Sequence, residues 1–142
     1  MGVRVRIRIK SSRGEAETPA LVNTGFETEE PEILLPVKLA EKLGLYPPNQ
    51  GSVLEEYSVV GGTTLIIKSS EPAYVQVVVK DRETHLTEAV PLMSDKEDEV
   101  LISDKLASRL KISIDDPAEG TWRFRDDPTT KKRTSEQPKH WT

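Results

Sequence analysis

The sequence contains no cysteine, which removes disulfide scaffolds, thiolate metal sites and cysteine nucleophiles together and suits an intracellular protein. Histidine is nearly as scarce. His85 and His140 show no paired spacing, so no metal site and no cofactor are expected, and both histidines read as surface residues. Asparagine and glutamine number five in all (Asn23, Asn49, Gln50, Gln76, Gln137), against 31% charged residues; many charges with few thermolabile amides is a thermophile-like composition. No apolar run has the length of a membrane span or a signal peptide, so a soluble, cytoplasmic protein is expected. Met1-Gly2 opens like a myristoylation signal, but Arg6 stands where Ser or Thr is required. An excess of positive charge is missing too: 24 acids against 20 bases leave a net charge of −4, which argues against a general nucleic-acid binder. Gly61-Gly62 has no lysine and helix after it, so there is no phosphate loop. Ser103 has no histidine nearby in sequence to activate it.

What is present is mostly β. Residues 3–10, Val-Arg-Val-Arg-Ile-Arg-Ile-Lys, alternate at period two and predict a strand with an apolar and a basic face. The basic face reads as a solvated face or sheet edge in preference to a polyanion-binding strip. Residues 18–22 predict a short buried strand, residues 55–70 a hairpin turning at Gly61-Gly62, and residues 73–81, 84–92 and 120–126 further strands. Two short helices are expected, one after Pro36 and ending at Gly44, the other after Ser103, whose hydroxyl is placed to cap it. The expected fold is all-β, a closed or partly closed barrel over residues 1–126, with residues 127–142 a polar, disordered tail.

A repeat runs through this pattern. Residues 33–43, ILLPVKLAEKL, align with residues 100–110, VLISDKLASRL, sharing Lys-Leu-Ala and a later Leu. Each half is an apolar triplet followed by a short helix, which suggests an internal pseudo-twofold; taken alone, the alignment reads better as two ordinary amphipathic helices sharing common residues. Ahead of the first triplet the apolar run Ala20-Leu21-Val22 stops at Asn23-Thr24-Gly25. In order, these pieces are a strand ending in Asx-Thr-Gly, triplet, helix, glycine-tipped hairpin, triplet and helix. The chain thereby resembles the retropepsin-like aspartic proteases over roughly residues 3–126, on "ALVNTGF", "ILLP", the Gly61-Gly62 hairpin and "VLIS".

The resemblance implies a homodimer in which the two corners meet and an extended peptide lies beneath the hairpin. Position 23 matches the catalytic aspartate, Thr24 the hydroxyl that ties the corners across the dimer, and Gly25 the residue that lets the backbone turn. Val60, Gly61, Gly62 and Thr63 match the flap over the substrate. In such a site two carboxylates about 3 Å apart share one proton, the ionised one activating water and the protonated one polarising the peptide carbonyl. Here the position carries Asn23, which has the aspartate's shape but cannot ionise. The chain as written is therefore expected to be catalytically silent, either a natural pseudoprotease or an Asp→Asn knockout of a peptidase. Ser103, where the family usually has glycine, and the long acidic link of residues 27–32 favour the former. Supply of the missing charge by Glu27 or Glu29 is the weakest alternative, and a non-catalytic peptide-binding or scaffolding module using the same groove is the other reading. The acidic runs at residues 27–32 and 95–99 lack the spacing of a calcium loop and read as solvated loops. Lys131-Lys132-Arg133 reads as solvating charge in the tail.

Overall fold

The computed structural model describes residues 2–59 and 61–142. Eight strands form one sheet: β1 (Arg4–Lys10), β2 (Glu15–Val22), β3 (Glu32–Pro36), β4 (Val53–Val59), β5 (Gly62–Lys68), β6 (Ala73–Val77), β7 (Thr87–Ser94) and β8 (Val100–Ile102). Their order is β3-β8-β2-β1-β6-β7-β5-β4, and β3 also pairs with β7. That extra pairing closes six strands into a barrel and leaves the β4–β5 hairpin outside it. Helices α1 (Val37–Lys42) and α2 (Asp104–Arg109) follow β3 and β8. A small second sheet, β9 (Ile112–Asp116), β10 (Thr121–Phe124) and β11 (Arg133–Thr134), closes the chain. Among the described residues no helix is long and apolar enough to cross a membrane.

β1 shows why the barrel forms. Val5, Ile7 and Ile9 are buried while the intervening basic residues are half-exposed, as a period of two demands when one face meets a core. Each fully buried Ile of this kind contributes about 1.5–3 kcal/mol. β1 is not a sheet edge, since it lies between β2 and β6. Nor is its outer face a bare basic strip. Arg4 pairs with Glu99, Arg6 with Glu136 at 2.7 Å, and Arg8 with Glu17 at 2.9 Å.

The repeat seen in sequence is a pseudo-twofold in space. β2 runs parallel to β8 (Ala20–Val100, Leu21–Leu101, Val22–Ile102), and β7 runs parallel to β3 (Pro91–Ile33, Leu92–Leu34, Met93–Leu35). β3 and β8 are antiparallel to each other, with Leu34 opposite Leu101. Those two leucines are equivalent in the repeat, so the axis passes between them. Each triplet then feeds a helix whose apolar residues, Leu39 and Leu43 or Leu106 and Leu110, seal one end of the core.

Residues 127–142, expected to be disordered, lie against the barrel instead. Arg133 bonds Asp81 at 2.8 Å and Asp127 at 2.9 Å. The Ser135 hydroxyl accepts from the Arg4 amide, and the Glu136 amide donates to the Arg4 carbonyl. Trp141 packs on the core and donates its indole N–H to Thr18. β9 and β11, which the sequence did not reveal, brace β10 on either side.

Arg133 holds the Asp81 and Asp127 carboxyls below the usual aspartate range, chiefly by hydrogen bonding. A depressed carboxylate contributes stability that is present above its ordinary value of 3.8 and is lost as pH falls through the lower folded value. The tail is therefore expected to loosen before the barrel in acid. Hydrogen exchange followed from about pH 5 to about pH 2 should show residues 133–142 losing protection ahead of β1 and β2; simultaneous loss would sink the idea.

Candidate functional site

The corner follows β2. The Asn23 amide donates to the Ile102 carbonyl at 3.3 Å, its Oδ1 accepts from the Gly25 amide at 3.1 Å, and its carbonyl accepts from the Phe26 amide at 3.0 Å. This is an asparagine turn, in which a short side chain stands in for a backbone acceptor. An aspartate would make the same bond. Thr24 and Gly25 are exposed, with Asn23 half-buried. Gly25 is not at positive φ, and a Cβ there would sit 3.4 Å from Asn23 Oδ1, an ordinary contact. The turn itself therefore does not require the glycine.

The pseudo-twofold gives Asn23 a counterpart. With Ala20–Val22 equivalent to Pro91–Met93, Asn23 falls on Ser94. The Ser94 hydroxyl accepts from the Lys96 amide at 3.1 Å, the same reach two residues ahead that Asn23 makes to Gly25. Two polar residues thus stand at the ends of equivalent strands, each accepting from the amide two residues ahead.

Residues 23–31 are held from α2. The Asp104 amide donates to the Phe26 carbonyl at 3.0 Å, and Asp104 Oδ1 accepts from the Thr28 amide at 3.2 Å. Ser103, completely buried, caps α2 as expected by accepting from the Leu106 amide at 3.1 Å. Its hydroxyl also accepts from the Glu32 amide at 3.0 Å, a bond from one half of the repeat to the other.

Glu32 is the residue that the sequence misplaced. It was grouped with a solvated acidic loop, yet it is 4% exposed at the start of β3. Glu99, its equivalent at the start of β8, is 9% exposed. Extending the repeat one residue backwards, to EILL beside EVLI, was the available signal. Glu99 is neutralised by Arg4. The Glu32 carboxylate has no ion pair among the described residues; the Tyr57 hydroxyl donates to it, 3.2 and 3.4 Å from its two oxygens.

The hairpin is attached through β5, where Ile67 and Lys68 pair with Met93 and Leu92 of β7. Val59 pairs with Gly62, so Gly62 belongs to β5 rather than to the turn expected at Gly61-Gly62. Gly61, Gly62 and Thr63 are exposed, both glycines are at positive φ, and nothing lies within 4 Å of a Cβ built on either. Val60 lies outside the described residues. Lower down, Tyr57 and Ile66 face the barrel and form an apolar cluster with Leu34 and Leu92, against which Phe26 and Leu101 also pack. The structure thus brings corner and hairpin to one apolar patch. On the hairpin's far side a cleft of about 490 Å3 separates Thr63–Leu65 from Asp95-Lys96. No group of three His, Asp or Glu side chains among the described residues could hold a metal. His85 is exposed, and His140 Nδ1 sits 3.1 Å from Asp98.

Burial pushes the Glu32 carboxyl above its ordinary value of 4.5, opposed by the Tyr57 bond and by Lys68, while Glu30 and Glu55 add to the rise. Burial, then the Glu32 charge, raises the Tyr57 hydroxyl, so it stays a donor at neutral pH. A carboxyl raised in the folded state contributes stability below its unfolded pKa and loses it as pH rises through the folded value. Stability should therefore fall as pH is raised from about 4.5 towards neutral, and Glu32→Gln should lessen that fall, leaving the part owed to Glu97, whose carboxyl burial also raises. Tyr57→Phe should deepen it by about 1–2 kcal/mol by leaving a buried carboxylate unpartnered. Urea midpoints across the pH range measure both, and parallel curves for all three proteins would show that the pair does not titrate.

A scan of the sequence against protein-family models finds no match, and no curated protein matches it.

Proposed function

We propose that the chain is a retropepsin-like aspartic protease homologue that works as a homodimer and is silent as written because Asn23 occupies the catalytic position. The observation that carries this reading is the pseudo-twofold: two equivalent strand–turn–strand–helix units with Asn23 and Ser94 at equivalent turns, and a hairpin rooted on β7 beside them. The arrangement offers an exposed corner for a second copy to meet and a hairpin to lie over an extended peptide. A cytoplasmic setting goes with a cysteine-free chain. The test is a peptide-library cleavage assay, read by mass spectrometry from acid to neutral pH, on the chain beside Asn23→Asp. Cleavage by the variant alone supports the reading.

A second reading, a peptide-binding module without cleavage, is favoured by one observation. β4 is an edge of the sheet, and its hairpin exposes Val53, Leu54 and Leu65, the two leucines about 60% exposed. An unpaired edge with apolar side chains is where an extended peptide adds as a strand. If neither protein cuts while both stay folded dimers, this reading replaces the first.

A further inference from the structure

The β4–β5 hairpin stands outside the barrel with one edge open. Val59 opposite Gly62 closes a two-residue turn, so the residues of β4 that exchange backbone bonds with β5 are Val53, Glu55, Tyr57 and Val59. The amides and carbonyls of Leu54, Glu56 and Ser58 therefore face outward, and β4 ends the strand order on that side. Val53 and Leu54 are exposed along this edge, as is Leu65, which lies opposite Glu56. Natural sheets seldom leave apolar side chains beside unpaired backbone. Next to them the edge turns acidic. Glu55 and Glu30 share Lys68, at 3.8 and 3.9 Å, so one ammonium meets two carboxylates. Glu56 has no ion pair among the described residues. Across the cleft from Glu56, Asp95 and Lys96 carry opposite charges that offset each other. The edge is thus apolar at residues 53–54 and net negative at residues 55–56.

Those charges select the occupant. Antiparallel pairing of two copies over the whole strand would set Glu56 opposite its own counterpart, and like charges directly opposite are destabilising. A strand of opposite charge gains at the same positions. We propose that the β4 edge binds an extended segment of a partner protein in which two consecutive basic residues lie beside Glu55 and Glu56 and two apolar residues lie beside Val53 and Leu54. Consecutive side chains of a strand point to opposite faces. One base therefore meets Glu56 on the side of Leu65, and the other meets Glu55 on the side that Ile66 and Tyr57 turn to the barrel. Backbone bonds to Leu54, Glu56 and Ser58 supply affinity that any sequence can share, and the carboxylates supply the choice. The acids that keep two copies apart are the ones that admit a basic strand. This preference rests on the reading of the hairpin as a peptide-binding edge and involves no turnover at the corner.

The experiment titrates the full chain into short fluorescein-labelled peptides, Thr-Val-Val-Lys-Arg-Thr-Thr and the same residues in reverse order, so that both strand directions are sampled. Forms with Gln-Gln or Glu-Glu in place of Lys-Arg are the controls. Polarisation gives affinity, and hydrogen exchange by NMR at the Leu54, Glu56 and Ser58 amides reports strand addition. In at least one order the Lys-Arg peptide is expected to bind on the order of tenfold more tightly than the Gln-Gln form and to slow exchange at those three amides. Glu55→Gln/Glu56→Gln leaves the backbone ladder to β5 in place. It should erase the preference while the Gln-Gln peptide binds as before. If all three peptide forms bind alike and protect β4, the edge takes strands but charge does not choose them, and the proposal fails alone. If no peptide slows exchange at these amides, the peptide-edge reading fails with it. Protection that grows with protein concentration and needs no peptide would assign the edge to a second copy and overturn the proposal, as would a preference that survives in the double variant.

Discussion

Asn23→Asp is expected to cleave peptides that the parent chain leaves intact, at a rate at least on the order of 100-fold above it, the low end of what a positioned general base contributes. The substitution should cost the corner nothing, because Asn23 uses its Oδ1 to accept from Gly25, and a carboxylate oxygen can accept the same bond. What changes is the charge. In a symmetric dimer two carboxylates would face each other, and like charges that close hold one proton between them. The ionised member could then take a proton from water while the other polarises the scissile carbonyl. Activity should therefore be greatest in mild acid. It should also rise more steeply than linearly with protein concentration where dimers dissociate, since one chain supplies one aspartate. A folded, dimeric variant that cuts no peptide would falsify the protease reading.

Much of the barrel was legible because its signals are local. The alternation of residues 3–10 survives because one face of β1 is buried and the other is not. The two triplet–helix units were visible because both helices bury the same two apolar positions. β9 was missed because the turn before it carries no glycine. Gly44 ends the first helix at φ 72, while its equivalent in the repeat, Lys111, adopts φ 64, a conformation that sequence reading reserves for glycine or asparagine. The tail was missed for a different reason. It is held by ion pairs, by the Ser135 hydroxyl and by cations over rings, Arg133 above Trp122 and Phe124 and Lys42 near Trp141. None of these produces an apolar period, and only Trp141 is an apolar anchor.

The site was legible in part. Asn23 and the hairpin could be picked out because each interrupts a strand with turn chemistry. Glu32 was passed over although the repeat pairs it with Glu99, and Ser94 could not be found. A buried glutamate among three exposed ones shares their composition, and Ser94 gains its meaning only from the parallel pairing that sets β7 against β3 as β2 is set against β8. Partnership across the pseudo-axis is long-range in sequence, and periodicity does not report it.

Ser103→Ala is expected to be the most destabilising single polar substitution near the corner, by about 2–4 kcal/mol. Two losses add. Loss of an N-cap costs about 1 kcal/mol, and the Leu106 amide that Ser103 satisfies is the one at stake. The second donor, the Glu32 amide, lies in a buried strand start, and an orphaned buried N–H costs about 1–3 kcal/mol. The first helix has no such cap, because the equivalent position, Pro36, carries no side-chain acceptor. A glycine here would leave both donors unmet, so the serine has a structural cause of its own. Urea unfolding gives the total, and hydrogen exchange at the Glu32 and Leu106 amides separates the parts, since both should exchange faster in the variant. A loss below about 0.5 kcal/mol, the size of an ordinary surface change, would show that the hydroxyl is not the tie between the halves. The effect should reach the corner as well. Residues 23–31 end at Glu32 and are pinned by Asp104; the Glu32 amide bonds the hydroxyl that is lost, and Asp104 follows it in the same helix start. In the Asn23→Asp background, Ser103→Ala should then lower turnover even at temperatures where the chain remains folded, because the Glu32 amide, where the corner segment ends, has lost its side-chain partner.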